Sequence, residues 1–498
     1  MMPNHTAPLA MTLSHAAPVT IALPRLPLGD PHDCTDANDE LTLYQTFYDT
    51  LVKRRDGAYH AQLAESWTVS EDARSWTFTI RPGVAFHDGT PCDAAAVAQS
   101  LERMAREDKG YTLGSPAVWR QYLGGAELEA DGQTLTVRLT APMADLLDVL
   151  VQGFIVAPSV FDRPDAGDTT AICGTGPYRV QSAGKDRVVA TRNPDHFAPG
   201  AKNETLIFVL ETDAAERARM LADGRVQVAN SLDPHIGDIE GATLVRFTAP
   251  VAIIYLLNSA KGPLQDGRVR RALSLAVDRE ALIDTVLDGA ADPLHGFVSP
   301  RHFGAGSEPV PGPDVAAARA LLAEAGYADG LTLTLDCPTR LPDEAQKLTN
   351  DLGAQLFAIG VRFDVRIHKD REAYAHMVRR KEIGDLCVFD SSPMSTFRVL
   401  YEKIDSRTAG AWWQGYRNEA IEALIDQGRV TTDTQARAAL YRRAYAELQG
   451  DPAWLTLYNP HRAVGLRGDH PGFRMREHGV IDVADLPDFT SDRETANG

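Results

Sequence analysis

The feature that most constrains the fold is a β–α–β pattern at residues 331–367. LTLTLDCP (331–338) is typical of a strand, EAQKLTNDLGAQLFAIG (344–360) of a helix that stops at its final glycine, and VRFDVRI (361–367) of a second strand. The leucines on the inner face of the helix are Leu348, Leu352 and Leu356. A helical crossover joins parallel strands, so the second half of the chain should contain a parallel sheet.

Other segments extend this picture to mixed α/β lobes. DLCVFD (385–390) is a neighbouring candidate strand, and VTIALP (19–24) is a first strand. WTVS and WTFTI form a strand pair whose second member alternates apolar residues with threonines, and LTVRLT (135–140) alternates in the same way. The first half is therefore rich in strands, and the second half is built from β–α–β elements.

Helices are predicted from periodicity and from capping residues. LTLYQTFYDTLV (41–52) places apolar and aromatic residues on one helical face. Asp93 is well suited to cap a helix over 94–103, and Asp278 to cap the second of two helices within 269–287.

Size and charge exclude several classes of function. A chain of 498 residues predicts two or three domains. The formal net charge of −18 and the absence of a basic run argue against nucleic acid as a partner. No segment of the sequence is apolar over the length of a membrane span. The N-terminus is a poor signal peptide, so either an export signal has been removed or the protein stays inside the cell.

The five cysteines give no zinc or redox motif, because none are spaced as CxxC. Cys337 and Cys387 could pair, although buried free thiols are the alternative that we favour. His32 with Cys34, or His295 with His302, could be metal ligands, but solvated loop residues are the simpler interpretation. We therefore expect no metal and no cofactor.

The stretch HDGTPCD (87–93) allows two interpretations. Its histidine, aspartate and cysteine could form a catalytic or metal cluster, or the stretch could be a turn between a strand and a helix. His87 and Asp88 are adjacent, so their side chains diverge and cannot form a catalytic pair without distant partners. Walker, HExxH and GxSxG motifs are absent from the sequence, and GTGPY (174–178) opens a strand. The sequence thus gives no positive support for an enzyme.

Five separated segments together resemble the family 5 extracellular solute-binding proteins, the dipeptide-, oligopeptide- and nickel-binding components of ABC importers. The segments are LAESWTVSEDARSWTFTIRPGVAFHDGTPCDAAAVAQSLERM (63–104), GTGPYRV (174–180), RNPDHFAPGAKNETLIFVLETDAAERARMLADGRVQVA (192–229), YLLNSAKGPLQDGRVRRALSLAVDREALID (255–284) and the 331–400 region. Through this resemblance the 87–93 stretch becomes part of a scaffold that recurs whatever the ligand.

The resemblance implies a two-lobed, periplasmic-binding-protein-like α/β fold of cluster C type, with hinge-crossing strands. We expect lobe I at 18–254, with an extra subdomain at about 45–165, and lobe II at 255–457. Residues 458–498 return to lobe I and form the tail. The crossing strands are expected near 250–258 and 455–460.

The resemblance also implies a binding protein that catalyses nothing. Its partners are a small-molecule ligand, which is a peptide, an opine or a related amino-acid derivative, and the transmembrane subunits of an ABC permease; we expect a monomer. Ligand contacts to both lobes favour a closed state, which docks to the permease. The family implies a periplasmic location. The weak signal peptide leaves open a cytoplasmic ligand-sensing protein on the same fold.

Candidate ligand residues in lobe II follow from the dipeptide-binding members. Arg340 stands where an arginine holds the ligand carboxylate, and its guanidinium can donate two parallel hydrogen bonds. Ser392 stands before a proline, where those members have an aspartate for the α-amino group. Asp390 could substitute if the strand continues through Ser392. Arg398 adds a second cation, which makes an anionic or doubly carboxylated ligand reasonable.

Aromatic residues and a lobe I loop complete the expected site. Trp412, Trp413 and Tyr416 in WWQGY offer flat surfaces to a ligand, with core packing as the alternative. Cys34 or Asp33, in the loop after the first strand, is placed to touch ligand from lobe I. We find no histidine equivalent to that of the nickel-binding members in 385–416, so nickel is disfavoured.

Overall fold

The computed structural model describes most of the chain. The described residues are 17–33, 37–110, 117–168, 170–294, 296–300, 302–306, 308–340, 342–391, 395–476 and 479–489.

The first half combines many strands with short helices. Its strands are β1 (Val19–Leu23), β2 (Val52–Arg55), β3 (Ala58–Ala61), β4 (Ala64–Val69), β5 (Ser75–Ile80), β6 (Glu127–Asp131), β7 (Thr134–Arg138), β8 (Tyr178–Ala183), β9 (Arg187–Arg192), β10 (Thr205–Leu210), β11 (Val228–Leu232) and β12 (Ala242–Thr248). Its helices are α1 (Asn38–Phe47), α2 (Ala94–Met104), α3 (Arg120–Leu123), α4 (Leu146–Leu150), α5 (Asp162–Asp165) and α6 (Ala214–Ala222).

The second half alternates helices and strands. Its strands are β13 (Ala252–Leu257), β14 (Ala291–Pro293), β15 (Leu331–Pro338), β16 (Val361–His368), β17 (Leu386–Ser391) and β18 (Trp454–Arg467). Its helices are α7 (Gly267–Ala276), α8 (Arg279–Leu287), α9 (Val315–Glu324), α10 (Ala345–Phe357), α11 (Arg371–Arg379), α12 (Thr396–Val399), α13 (Glu419–Val430) and α14 (Thr434–Gly450). A π-helical turn, Leu400–Ile404, continues α12.

One long strand joins the two halves. The main sheet has the order β16-β15-β17-β13-β18-β11-β1-β10-β9-β8, with β12 and β14 also paired to β18. The first part of β18 pairs with β13, and its last part pairs with β11 and β12. Strand β18 therefore crosses from one lobe to the other, as the two-lobed fold requires.

The β–α–β unit predicted from the sequence is confirmed. Strands β15 and β16 are parallel, in register from Leu331 with Val361 to Pro338 with His368. Helix α10 buries the three predicted leucines. Strand β17 runs parallel to β15 on its other side.

A separate antiparallel sheet lies within the expected subdomain. Its strand order is β4-β5-β7-β6. In β5, Trp76, Phe78 and Ile80 are buried while the intervening threonines are more exposed, which confirms the predicted alternation. The largest apolar cluster among the described residues includes residues of this subdomain together with residues of lobe II.

The 87–93 stretch has a scaffold role. Asp93 caps α2 by accepting a hydrogen bond from the backbone N–H of Ala96 at 2.9 Å, as predicted. His87 anchors the GTGPY loop: its backbone N–H donates to the carbonyl of Gly174 at 2.8 Å, and its Nε2 lies 3.0 Å from the carbonyl of Gly176.

The helix predicted over 41–52 begins and ends earlier in the structure, so both predicted bounds were wrong. Helix α1 ends at Phe47, and Val52 already belongs to β2. The carbonyl of Phe47 accepts a hydrogen bond from the N–H of Gly176 instead of continuing the helix. A Cβ on Gly176 would meet the Phe47 carbonyl carbon at 2.4 Å, so this close approach requires glycine.

The described cysteines are buried free thiols: Cys92, Cys173, Cys337 and Cys387. Cys337 and Cys387 lie on the neighbouring strands β15 and β17 without forming a disulfide.

Two histidines, the buried His32 and the half-buried His87, should make the fold sensitive to acid. Burial lowers the pKa of His32 and of His87 to about 4. Since an unfolded histidine titrates near 6.5, the unfolded state takes up protons first as the pH falls, and stability is lost between about pH 6.5 and pH 4. We expect each histidine to account for on the order of 2 kcal/mol at pH 4.5.

Urea unfolding of wild type and His87→Gln at pH 7 and pH 4.5 tests this. The loss on acidification should be smaller in the variant by about the His87 share. Equal losses in both proteins would show that His87 is not held neutral. His196, whose pKa is raised in spite of burial by its hydrogen bond to Asp49, acts in the opposite direction and is common to both proteins.

Candidate functional site

Three parallel strands of lobe II end at one edge of the sheet. Because β15, β16 and β17 are parallel neighbours, their carboxyl ends at Pro338, His368 and Ser391 lie side by side. Open α/β sheets bind ligands in the crevice outside the carboxyl ends of their strands. The residues that follow these ends are therefore the candidates for the lobe II side of a site.

The segment after β1 supplies the opposite side. Strand β1 is parallel to β10 and β11, so it also leaves its sheet at a carboxyl edge. Arg25, two residues beyond β1, donates two hydrogen bonds of 2.8 Å to the carboxylate of Asp39. Arg25 is also attracted electrostatically to Asp390 of lobe II. This attraction places the segment after β1 near the end of β17, and we call the region between these two carboxyl edges the cleft.

The loop that continues from Arg25 is held by a polar cluster. Arg103 donates to Asp30 at 3.0 Å and Lys109 donates to the same carboxylate at 2.7 Å. Burial disfavours the charge on Asp30, but these hydrogen bonds together lower its pKa well below the ordinary value. Burial and the charge of Asp30 raise the pKa of the neighbouring Asp33 to about 6.

Asp390 is the central carboxylate of the cleft. It lies half-buried at the end of β17, where burial raises its pKa. Three cations act in the opposite direction, namely Arg371, Lys403 and Arg25 in decreasing order. A half-buried carboxylate among cations from both lobes creates a site of mixed charge.

The cations reach Asp390 from three different elements. Arg371 is the first residue of α11 and is exposed. Lys403 is buried, and its ammonium donates to the Ser391 hydroxyl at 2.9 Å. Sequence reasoning missed Arg25, Arg371 and Lys403. Arg25 and Arg371 come shortly after strands, and this position could have indicated them as site residues. The sequence around Lys403 gave no such indication.

An aromatic cluster surrounds Phe389 of β17. The rings of Phe389 and Trp412 lie 4.5 Å apart, and Phe389 stacks on Tyr374 at 6.3 Å. Trp412 is half-buried, and its contact with a ligand stays a prediction.

Arg340 lies at the same edge as the three strand ends. It follows β15 by two residues and is exposed. Arg340 and Arg371 therefore provide two guanidinium groups at the mouth of the cleft.

The other two residues of WWQGY are engaged within lobe II. The Trp413 indole N–H donates to the Tyr416 carbonyl at 2.6 Å. Tyr416 is only 2% exposed, and its hydroxyl donates to the backbone carbonyl of Asp451 at 3.0 Å. Arg270 covers the Tyr416 ring at 5.4 Å. Trp413 and Tyr416 therefore have the packing role that the sequence analysis gave as the alternative to ligand contact.

Arg398 lies in the protein interior, away from the cleft surface. It is 1% exposed, and its Nε donates to Glu402 at 2.8 Å. Its Nη1 donates to the side-chain oxygen of Gln152 at 2.9 Å, and its guanidinium lies 5.7 Å from the ring centre of Trp119. The ion pair with Glu402 lies within lobe II, and the contacts of Arg398 with Gln152 and Trp119 join it to the subdomain.

Two of the predicted contacts, Cys34 and Ser392, lie outside the described residues. Within the ranges that the structure describes, no group of three or more His, Cys, Asp or Glu side chains is arranged to hold a metal ion. Among the same residues, no helix has the length and apolar character needed to cross a membrane.

Comparison with known proteins finds a family of solute-binding proteins and relatives named for binding small peptides. A family model described as bacterial extracellular solute-binding proteins, family 5 Middle, matches residues 58–395. The chain is similar to the glutathione-binding protein GsiB of Salmonella paratyphi A, with 28% identity over 452 residues that cover 86% of each chain. It is also similar to the probable di/tripeptide-binding protein 5 of Pseudomonas aeruginosa, with 26% identity over 506 residues, covering 91% of this chain and 94% of the relative.

A solved structure agrees on the fold. The ABC transporter substrate-binding protein CtaP of Listeria monocytogenes matches with a TM-score of 0.80 and 19% identity, covering 95% of this chain and 99% of that one.

Proposed function

Because the chain belongs to the bacterial extracellular solute-binding proteins of family 5, whose members bind ligands and are not enzymes, we propose that it captures a peptide-like or opine-like small molecule for an ABC importer. The ligand carries at least one carboxylate. The lobes close around it, and the closed form, a monomer, delivers it to the transmembrane permease.

The mixed charge around Asp390 is the observation that carries this proposal. An amino group of the ligand pairs with Asp390, whose half-buried carboxylate gains most from a cationic partner. A carboxylate of the ligand is held by Arg371 and Arg340 at the mouth of the cleft. Trp412 packs against the body of the ligand. Cys34 and Ser392 remain candidates for further contacts from the two sides.

The relatives support the peptide-like class of ligand. One is named for binding glutathione and the other for binding di- and tripeptides. Such ligands combine an ammonium group with carboxylates, which is the charge pattern that the cleft accommodates.

Closure is proposed as the working motion. In this proposal lobe I comprises 18–254, with its subdomain at about 45–165, and lobe II comprises 255–457. Residues 458–498 return to lobe I. A ligand that touches Arg25 on one side and Asp390 on the other binds the closed state better than the open state, so it shifts the population toward closure.

Native mass spectrometry of the purified protein tests the class of ligand directly. We expect a co-purified small molecule that contains an amino group and at least one carboxylate. A neutral ligand or a metal complex in its place would overturn the proposal. Fractionation of native cells tests the proposed location outside the cytoplasm, and recovery in the cytoplasm would favour a sensing role.

Arg340→Ala should weaken binding of that ligand by on the order of 2–5 kcal/mol, because closure leaves the ligand carboxylate without its partner. Isothermal titration calorimetry measures the change. The matched control is Arg443→Ala, which removes an exposed arginine from α14 and should leave affinity unchanged. Unchanged affinity in Arg340→Ala would remove Arg340 from the site.

A further inference from the structure

A second concave region lies at the far end of α11, and we call it the α11 crevice. It is open to solvent and has a volume of about 570 Å³. Its lining combines residues of the subdomain with residues of lobe II: Ala117, Val118, Arg120, Gln121, Arg379, Lys381, Glu402, Ala409, Gly410 and Ala411.

The crevice is separate from the cleft at Asp390. Arg371 begins α11 at the cleft and Arg379 ends the helix at the crevice. At 1.5 Å per residue, these helix ends are about 12 Å apart.

Lys381 is fixed in the crevice as a donor. Its ammonium donates to the carbonyl oxygens of Gly410 and of Ala411, the latter at 2.7 Å. An ammonium has three N–H donors, so two carbonyl contacts leave one N–H to donate elsewhere. No carboxylate of the described residues pairs with Lys381.

The remaining charges make the crevice positive. Arg120 and Arg379 add two guanidinium groups, and Arg120 is exposed and forms no ion pair with a described residue. The one acidic residue, Glu402, is already paired with the buried Arg398 at 2.8 Å. The Glu402 carboxylate therefore does not cancel the charges of Arg120 and Lys381.

The backbone around the crevice is held in unusual conformations. Ala117, Lys381 and Ala409 all have positive φ, of 55°, 63° and 46°, although none is a glycine. Such conformations cost energy and cluster at functional sites, where the surrounding structure maintains them. Gly410 is needed as glycine, because a Cβ there would lie 2.0 Å from the carbonyl oxygen of Glu402.

We propose that the α11 crevice is a second binding site, which takes the carboxylate group of a small anion between Arg120 of the subdomain and Lys381 of lobe II. Its two walls come from different parts of the chain, so an anion bound there would also tie the subdomain to lobe II. The proposal does not depend on whether Asp390 anchors the transported ligand.

Differential scanning calorimetry with disodium succinate as the probe tests the proposal. Ionic strength is held constant with sodium chloride. A ligand of the folded state raises Tm with its concentration, so succinate should raise the Tm of the wild type. In Arg120→Gln and Lys381→Gln the apparent affinity should fall about tenfold, as expected for loss of one charge-assisted hydrogen bond.

Arg120→Gln is the decisive variant, because the Arg120 side chain is exposed and has no described partner whose loss would unfold the protein. Arg271→Gln, which removes an exposed arginine of α7, is the matched control and should respond like the wild type. A wild type that does not respond, or an Arg120→Gln variant that responds fully, would overturn the proposal.

Arg340→Ala separates this site from the cleft. The succinate response should survive in this variant, and its loss would place the anion in the cleft and overturn the proposal of a second site. Comparing protein with and without its co-purified ligand then identifies the source of the carboxylate. A response that disappears in the loaded protein indicates the carboxylate of the ligand itself, and an unchanged response indicates a separate anion.

The pH dependence gives an independent check on Lys381. Burial lowers the pKa of Lys381 to about 8, so its positive charge is lost as the pH rises above that value. Arg120 and Arg379, which face it from the two walls, stay charged, and Glu402 stays paired with Arg398. Succinate affinity should fall between pH 7 and pH 9.5 in the wild type and stay flat in Lys381→Gln; a flat wild-type profile would remove Lys381 from the site.

Discussion

Replacing Arg398 with alanine is expected to lower the free energy of unfolding by about 3–5 kcal/mol, because it leaves a buried carboxylate without its counter-charge. Arg398 and Glu402 are 1% and 4% exposed, and their ion pair of 2.8 Å is sealed from solvent. Without the guanidinium, the hydrogen bond from the Tyr122 hydroxyl is what remains to the Glu402 carboxylate among the described residues. Gln152, on the subdomain side, loses its contact as well.

Chemical denaturation measures this effect, and Arg192→Ala is the matched control. Arg192 pairs with Glu204 at 2.8 Å on the surface, with both side chains 42–50% exposed, so its loss should cost less than about 1 kcal/mol. Replacing both Arg398 and Glu402 with apolar residues should recover part of the loss. If Arg398→Ala costs no more than Arg192→Ala, the buried ion pair of Arg398 and Glu402 does not stabilise the fold.

Local chemistry explains which parts of the fold could be predicted. Asp93 and Asp278 cap α2 and α8 because each side chain bonds a backbone N–H only three residues ahead. The β–α–β unit was predictable because one continuous segment contains both the hydrophobic periodicity and the length of its strands and helix. The end of α1 was not predictable, because the group that takes the Phe47 carbonyl is Gly176, distant in sequence.

The sequence predicted the chemical type of the candidate site, but it did not predict which residues surround it. Arg398 has the charge expected of a ligand contact, but whether an arginine faces a ligand or a carboxylate depends on tertiary partners such as Gln152, 246 positions earlier. Tyr416 shows the same effect, because its burial is fixed by Arg270 and Asp451.

Asp390 illustrates the opposite case. The sequence suggested it as a substitute anchor for an amino group, but the cations around it come from three remote elements. Only the parallel arrangement of β15, β16 and β17, with β1 facing them, brings those charges together. The sequence could thus indicate Asp390 as a candidate anchor, but it could not show the charges that surround this carboxylate.

Asp390→Asn should weaken binding of the co-purified ligand by on the order of 2–4 kcal/mol, because the ligand's amino group loses its ionic partner while the side chain keeps its shape. Calorimetric titration measures the change. Asp364→Asn, on the exposed face of β16, is the matched control and should bind normally. Unchanged or tighter binding in Asp390→Asn would show that the ligand brings no ammonium to this carboxylate.

The same substitution should act on stability with the opposite sign. Burial raises the pKa of Asp390, which means that the folded protein disfavours the charged form relative to the unfolded chain. Near neutral pH the carboxylate is therefore a cost to the unliganded protein, and a neutral amide of the same shape should raise its free energy of unfolding. A residue that only stabilised the fold would lose stability when its charge is removed. Higher stability of the unliganded protein together with weaker ligand binding is thus the result that identifies Asp390 as a binding residue held ready for a cationic group.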